Sequence, residues 1–195
     1  MNIRKSKISV CRDVNFVMEE RKMKLVKAEI TDIEEISKLY DDVCDYLFEH
    51  ENYPGWKKGI YPVRKDAEDG IREGNLFVAV ENGDIIGSMI LRHEPEPAYL
   101  NVSWQAELDY SNVLVIYTFV VNPKFLKRGV GKNMLDFIEE YAMDNKIKSI
   151  RLDVYEKNIP AISLYEKCHY KFIDTVSLGL EDIGLNWFKL YEKII

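Results

Sequence analysis

From Leu25 onward, apolar positions recur with two different periods, and the alternation between them divides the chain into strands and helices. Ile33, Ile36, Tyr40, Val43 and Leu47 repeat at helical spacing. Thr31 followed by Glu34 reads as a capping box that opens this helix after a short strand. The stretch from Tyr53-Pro54-Gly55-Trp56 to Tyr61-Pro62 is rich in turn residues and rings, and a polar second helix is expected over Val63–Glu73. Two strands follow, Asn75–Glu81 and Ile85–Arg92, joined by Asn82-Gly83. Both turn residues accept positive φ, so the pair predicts a hairpin and an antiparallel sheet region.

Glu94 to Asn112 has mixed polarity and two prolines, with a short strand expected around Tyr99–Trp104. Val113–Val121 is apolar or near-apolar throughout and predicts a buried strand that Asn122-Pro123 ends. After a glycine-bearing loop, Met134, Leu135, Ile138, Tyr141 and Ala142 form a helical stripe within Gly131–Lys146, and Ser149–Tyr155 is another strand. Asn158 and Pro160 suit the start of a short helix with Ala161, Leu164 and Tyr165 on one side. Strands around Tyr170–Ser177 and Leu185–Tyr191 close the pattern, which contains no repeat or low-complexity tract.

Composition narrows the picture. With 195 residues, 47% of them hydrophobic, one compact domain is expected. The net charge of −6 disfavours nucleic acid and anionic membrane surfaces as partners, while leaving a small cationic amine open. The longest apolar run, nine residues, is far short of the roughly 20 that a membrane helix needs. Cys11, Cys44 and Cys168 form no CxxC pair, which suggests a reducing cytoplasm. The stretch after Arg4, Lys5 and Lys7 breaks at Arg12 and Asp13, too early for a secretory signal. Residues 1–22 carry +3 against −9 for residues 23–195, and a cleaner pattern opens at Met23. Residues 1–22 are therefore expected to be an appendage or an upstream mis-called start, and residues 23–195 a single domain.

The candidate chemistry begins at Val121-Asn122-Pro123-Lys124-Phe125-Leu126-Lys127-Arg128-Gly129-Val130-Gly131-Lys132, a strand end, glycine loop and helix start. Glycines let backbone N–H groups converge, the helix start adds partial positive charge, and Lys127, Arg128 and Lys132 add full charges. That combination suits a pyrophosphate. A solvated basic face at a helix start explains the same residues taken alone. Neither Walker A spacing nor the full GxGxxG fingerprint is present, which disfavours a nucleoside triphosphate or dinucleotide. A second block, Asn158-Ile159-Pro160-Ala161-Ile162-Ser163-Leu164-Tyr165-Glu166-Lys167, follows the strand Ser149–Tyr155.

Together the two blocks resemble the GNAT superfamily of N-acetyltransferases. The strand ending V-x-P is Val121-Asn122-Pro123, the [QR]-x-x-G-x-[GA] loop is Leu126 to Gly131, and the N-x-x-A-x-x-x-Y-x-K-x-G-F block is Asn158 to Tyr170. The resemblance implies an α/β (mixed α+β) fold, with a central, mostly antiparallel sheet of about seven strands flanked by about four helices. It implies acetyl-CoA in a V-shaped opening between the strands Val113–Val121 and Ser149–Tyr155, the pantetheine pairing with backbone at Phe119 and Val121. The pyrophosphate would lie on the loop Leu126, Lys127, Arg128, Gly129, Val130, Gly131 and Lys132. The N–H near Val120 would polarise the thioester carbonyl, and Asn158 would contact the cofactor arm. Tyr165 would protonate the departing thiolate, a phenol with pKa near 10 having a proton to give at neutral pH.

Two positions depart from the pattern. Leu126 stands where Gln or Arg is usual, with Lys127 and Arg128 as compensation, and His169 replaces a glycine, so its turn must use a residue less tolerant of positive φ. No general base is evident on Val113–Thr118. Tyr117, Glu96, Glu107 and Asp109 are candidates, with a water chain as the alternative. Isolated His50, His93 and His169 argue for structural roles and no metal, and Cys168-His169 is not expected to form a nucleophilic dyad. Trp56, Tyr117 and Trp104 are candidate acceptor-binding rings for a cation–π box, with Tyr53, Tyr61 and Trp187 near the same walls; ordinary core filling accounts equally well for each ring singly.

The expectation is a cytoplasmic, bacterial, acetyl-CoA-dependent N-acetyltransferase that works by direct attack in a ternary complex. Its acceptor would be the primary amine of a small molecule such as a polyamine or aminoglycoside. An amino acid or protein N-terminus stays open, as does a homodimer. A catalytically weak CoA-binding sensor or partner subunit of the same fold is the alternative, motivated by the missing base and Leu126.

Overall fold

The computed structural model describes residues 23–195, so the expected appendage at residues 1–22, and Cys11 within it, lies outside the described residues. The elements run β1 (Met23–Lys27), α1 (Ile33–Glu49), α2 (Arg64–Arg72), β2 (Leu76–Glu81), β3 (Asp84–Arg92), β4 (Val113–Val121), α3 (Val130–Asp144), β5 (Ser149–Tyr155), α4 (Ile159–Lys167), β6 (Lys171–Val176) and β7 (Phe188–Ile194). Among the described residues the strands form one seven-stranded sheet in the order β1-β2-β3-β4-β5-β7-β6. Only β4 and β5 pair in parallel; the other neighbours are antiparallel. The Asn82-Gly83 hairpin forms with φ 55° and 94°.

Three local expectations are corrected. The helix entry is not capped from Thr31: the backbone N–H of Glu29 donates to Asp32 Oδ2 at 2.8 Å, because a 3-10 turn over Ile30–Asp32 precedes α1 and moves the cap upstream. Tyr99–Trp104 is not a strand. Pro97 starts a 3-10 turn over Pro97–Asn101, closed by the Tyr99 N–H on the Glu96 carbonyl at 2.9 Å, and Tyr99 is fully buried beneath it. The last strand begins at Phe188 rather than Leu185. A turn over Glu181–Ile183 with Gly184 at φ 86° intervenes, and Leu185 packs against Gly55 instead, where an added Cβ would come within 2.3 Å of its Cδ2. The loop before α2 therefore meets the loop before β7.

Burial follows the two faces of the sheet. Helices α3 and α4 cover one face over Leu114, Ile116, Ile150, Leu152 and Val154. Helices α1 and α2 cover part of the other over Leu76, Val78, Ile90 and Val120, and residues near Tyr99 cover the rest over Val113, Val115 and Leu190. One ion pair is buried here. Arg151, 1% exposed, donates from Nε to Glu192 Oε1 at 2.8 Å, and Glu192 also accepts from Ser149 Oγ and the Gln105 N–H, both at 2.7 Å. The Arg151 guanidinium also donates to the Ala106 carbonyl at 2.9 Å and lies 4.1 Å from the Trp104 ring centroid. No helix among the described residues is long and apolar enough to cross a membrane.

Candidate active site

The site is a gap inside the sheet. β4 and β5 pair only from Val113↔Ser149 to Ile116↔Leu152, although β4 runs on to Val121 and β5 to Tyr155, so the strands separate beyond Leu152. The cause lies in β4. Its register against β3 shifts between Ser88 and Ile90, and Thr118 takes φ 46°, a conformation costly for a β-branched residue by about 1–2 kcal/mol. The bulge turns Tyr117 and Thr118 to the same face. Tyr117 packs with the α1–α2 cluster, and the Thr118 hydroxyl bonds the Tyr61 hydroxyl at 2.7 Å, while Phe119 and Val121 pack toward α3 and α4.

Backbone direction follows from the same register. The Asn122 N–H donates to the Ile86 carbonyl at 2.8 Å, and Val120, two residues earlier, is opposite Ser88 in step with it. Strand alternation therefore turns the Val120 amide toward β3 and those of Phe119 and Val121 toward the gap. This corrects the expectation that assigned a polarising N–H to Val120, since residues of that parity are committed to the β3 ladder; the buried Val120 side chain serves the core. Phe119 and Val121 keep the pairing-competent groups.

At the end of β4, Lys127 (φ 62°) and Gly129 (φ 80°) bend the chain into α3, whose first bond in this turn is the Asn133 N–H on the Gly129 carbonyl at 3.0 Å. The N–H groups of Val130, Gly131 and Lys132 are thus the unpaired donors of a helix N-terminus, an anion cradle. Gly131 is tight on its inner side: an added Cβ would sit 3.0 Å from Leu164 Cδ2 and 3.7 Å from the Phe119 ring. The basic side chains are less available than expected. Arg128 pairs with Glu81 at 2.8 Å and Lys132 with Asp136 at 2.7 Å, whereas Lys127 has no ion pair among the described residues. Leu126 is exposed at the rim.

On α4, Asn158 is a helix cap, its Oδ1 accepting from the Ala161 N–H at 3.4 Å. Tyr165 is 5% exposed, its ring centroid 6.3 Å from that of Phe119, so it borders the gap from the α3–α4 face. Burial first and the Asp153 charge second push its pKa up, further above a thiol's. Complete transfer of its proton to a thiolate is consequently uphill, contrary to expectation, and a hydrogen bond toward developing negative charge is what this phenol can supply. His169 does take the turn position usually given to glycine, at φ 67°.

The opposite mouth of the gap is lined by rings and carboxylates. Trp56 meets Tyr61 edge-on at 5.6 Å, and the Tyr117 hydroxyl donates to the Glu94 carbonyl at 2.9 Å. Trp104 is not among them: its Nε1 donates to the Tyr99 carbonyl at 2.9 Å and its ring packs on Arg151, which removes it as an acceptor residue. The sequence-based base candidates separate too. Asp109 is a turn cap, its carboxyl lowered by the Ser111 hydrogen bonds, and Glu107 is exposed, whereas Glu96 is half-buried beside a surface cavity of about 530 Å³ between the Pro97 turn and Val176–Leu178.

Asp153 was missed in the sequence reading. It is the first β5 residue past the last β4 pair, and its Oδ2 accepts from the Tyr99 hydroxyl at 2.8 Å. Burial raises its carboxyl to about 6, partly offset by the Tyr99 hydrogen bond, and Glu96 adds to the rise. Its charge acts on the hydroxyls of Tyr61, Tyr99, Tyr117 and Tyr165, which come from four separate elements. The alternation in Ser149–Tyr155 was the one available signal, since an Asp inside an otherwise buried strand needs a reason. No group of His, Cys, Asp and Glu able to hold a metal occurs among the described residues.

Residues 36–170 match the model of the acetyltransferase (GNAT) family. The chain is 28% identical over 125 residues to the S-(2-succino)cysteine N-acetyltransferase of Bacillus subtilis, covering 63% of this chain and 67% of that protein. It is 25% identical over 167 residues to the UPF0157 protein YqkA of the same organism, covering 86% of this chain but only 36% of that protein, so it spans about a third of that relative's length. A GNAT-family acetyltransferase structure from Streptococcus agalactiae superposes with a TM-score of 0.76 at 22% identity, covering 90% of this chain and 96% of that one, a likeness of fold.

Proposed function

This chain belongs to the GNAT family of acetyltransferases, and on that premise we propose that it transfers acetyl from acetyl-CoA to the primary amine of a small, cationic molecule by direct attack in a ternary complex. The observation that carries the reading is the gap between β4 and β5, where the register turns the amides of Phe119 and Val121 inward, with unpaired N–H groups of a helix start at one end and the side chains of Tyr61, Tyr117 and Asp153 toward one face. Acetyl-CoA supplies a thioester acyl donor. The features of the chain fit it: an extended arm can add to β4 at Phe119 and Val121, and the free N–H groups of Val130, Gly131 and Lys132 suit a pyrophosphate. Lys127 is available as a charge, while Arg128 and Lys132 reach an anion only by leaving Glu81 and Asp136.

In this reading the Phe119 N–H faces the carbonyl oxygen and stabilises charge developing there, as a single-donor oxyanion site. The Tyr165 hydroxyl hydrogen-bonds the sulfur as the C–S bond weakens. Asn158 holds the start of α4 and thereby Tyr165. The acceptor enters past Trp56, Tyr61 and Tyr117, whose rings and neighbouring carboxylates favour a cation over an anion. A small amine also agrees with the name of the S-(2-succino)cysteine relative, and the buried free thiols of Cys44 and Cys168 suit a reducing cytoplasm. Whether two copies associate is a matter for the same preparation, by light scattering.

The test is release of CoA thiol from acetyl-CoA across polyamines, aminoglycosides, amino acids and short peptides, alongside acetyl-CoA titration. Tyr165→Phe is expected to lower turnover about 10²-fold with binding retained. Acetyl-CoA binding with no turnover on any amine favours a CoA sensor of the same fold instead, and absence of binding overturns the cofactor.

A further inference from the structure

We propose that Asp153 is the general base of this site, taking the proton from the acceptor ammonium, and that Tyr99 is its positioning residue. The inference rests on the transfer reading above and deepens it. An alkylamine with pKa near 10 enters almost wholly protonated and must lose a proton before it can attack. On the acceptor face of the gap, Asp153 is the strand residue at the fork itself, directly after the last β4–β5 pair, whereas Glu107 and Asp109 sit on the preceding segment and are exposed.

Its surroundings suit the task. The group bonded to it is a neutral hydroxyl, Tyr99, which is fully buried and fixes one carboxyl oxygen at 2.8 Å. The Asp153 backbone N–H also donates to the carboxyl, and Tyr99 is the side chain that bonds it among the described residues. Facing groups are Glu96 and Tyr99 from the 3-10 turn, Tyr61 from the loop before α2, Tyr117 from β4 and Tyr165 from α4; across the ladder β7 presents Leu190. The nearby Arg151, two residues earlier on β5, is committed to Glu192. A half-buried carboxylate without a cationic partner attracts a cation, so the features that make Asp153 a base also select an ammonium acceptor. With its carboxyl at about 6, it is largely ionised at neutral pH and still basic enough to compete for a proton.

The step balances. One proton passes from the ammonium to the Asp153 carboxylate, the neutral nitrogen forms the C–N bond to the thioester carbonyl carbon, and the C–S bond breaks. The nitrogen's second proton ends on the sulfur, at which Tyr165 holds its hydrogen bond. The products are an amide and a thiol, and Asp153 returns its proton to water.

The test uses the full chain with two probes: the best alkylamine of the panel, charged at pH 7, and methoxyamine, already neutral there. Asp153→Asn, which keeps an acceptor for Tyr99, is expected to lose about 10²–10⁴-fold in turnover with the alkylamine and less than tenfold with methoxyamine, with acetyl-CoA affinity unchanged. Carbon-13 titration of the free protein provides a readout apart from activity: a carboxyl titrating near 6 that vanishes in Asp153→Asn and moves upward in Tyr99→Phe, where the acidic limb of the rate profile moves with it. Equal loss with both probes, undiminished alkylamine turnover, or an unshifted limb in Tyr99→Phe overturns the base while leaving transfer intact. A wild-type protein that binds acetyl-CoA yet acetylates neither probe overturns the transfer reading and the base with it.

Discussion

Two halves of the β4–β5 pair lie beside two carboxylates in opposite conditions, the fully buried Glu192 of β7 and the half-buried Asp153 of β5. In the paired half, Glu192 faces Arg151 and accepts three further or shared donations, from Ser149, Gln105 and the guanidinium. Its charge is matched and its oxygens are occupied, so it is a fastening that ties the segment before β4 to β5 and β7. In the splayed half, the side-chain partner of Asp153 is a neutral hydroxyl, and its carboxyl is raised. Both are withdrawn from bulk water, Glu192 fully and Asp153 in part. What separates the two is whether a cation within the protein answers the charge.

The largest expected effect breaks the comparison on the paired side. Arg151→Leu strands Glu192 as an uncompensated buried charge and should cost about 3–5 kcal/mol in urea unfolding, whereas Arg151→Met with Glu192→Met together should recover part of the loss. On the splayed side the sign reverses. The folded carboxyl of Asp153 at about 6 lies above its unfolded value near 3.9, so its contribution to stability is intact below pH 4 and is lost as pH rises through 6. Asp153→Asn should therefore gain on the order of 2–3 kcal/mol at pH 7 and little at pH 4, read as the difference in Tm at the two values. A residue that weakens the fold at working pH is expected at a site and not in a scaffold.

A smaller effect sharpens the origin of the splay. Tyr61→Phe removes the bond to Thr118 and should cost about 1 kcal/mol in thermal unfolding, while leaving the pairing of Val113–Ile116 with Ser149–Leu152 protected in hydrogen exchange. The smallest lies outside both halves. Lys132→Gln breaks an exposed i,i+4 pair with Asp136 and should leave thermal stability nearly unchanged, yet weaken acetyl-CoA binding more at low salt than at high.

Much of this was legible before any coordinates. The bounds of β4 and β5 follow from apolar runs, the hairpin from Asn82-Gly83, and the cradle and α4 from two short motifs. Misreadings cluster where local signals compete. Thr31 and Glu34 have the right spacing for a cap, but Glu29 and Asp32 form it two residues earlier; Tyr99–Trp104 has strand-like residues, but Pro97 starts a turn. Trp104 shows the same limit at the site, because nothing in its neighbourhood along the chain announces that Arg151 will stack beneath it.

The sequence by itself determined most of the order and type of the elements, the family and the glycine-bearing turn into α3, since periodicity, turn chemistry and motif spacing act over a few residues. Only the tertiary structure decided that β4 bulges at Thr118, that the gap opens at Leu152, and that Asp153 comes to lie at the fork against Tyr99. The ionisation of Asp153 is set by desolvation and by Tyr99, 54 residues away in the chain. A field built from groups brought together by folding cannot be read from the residues on either side of the one it acts upon.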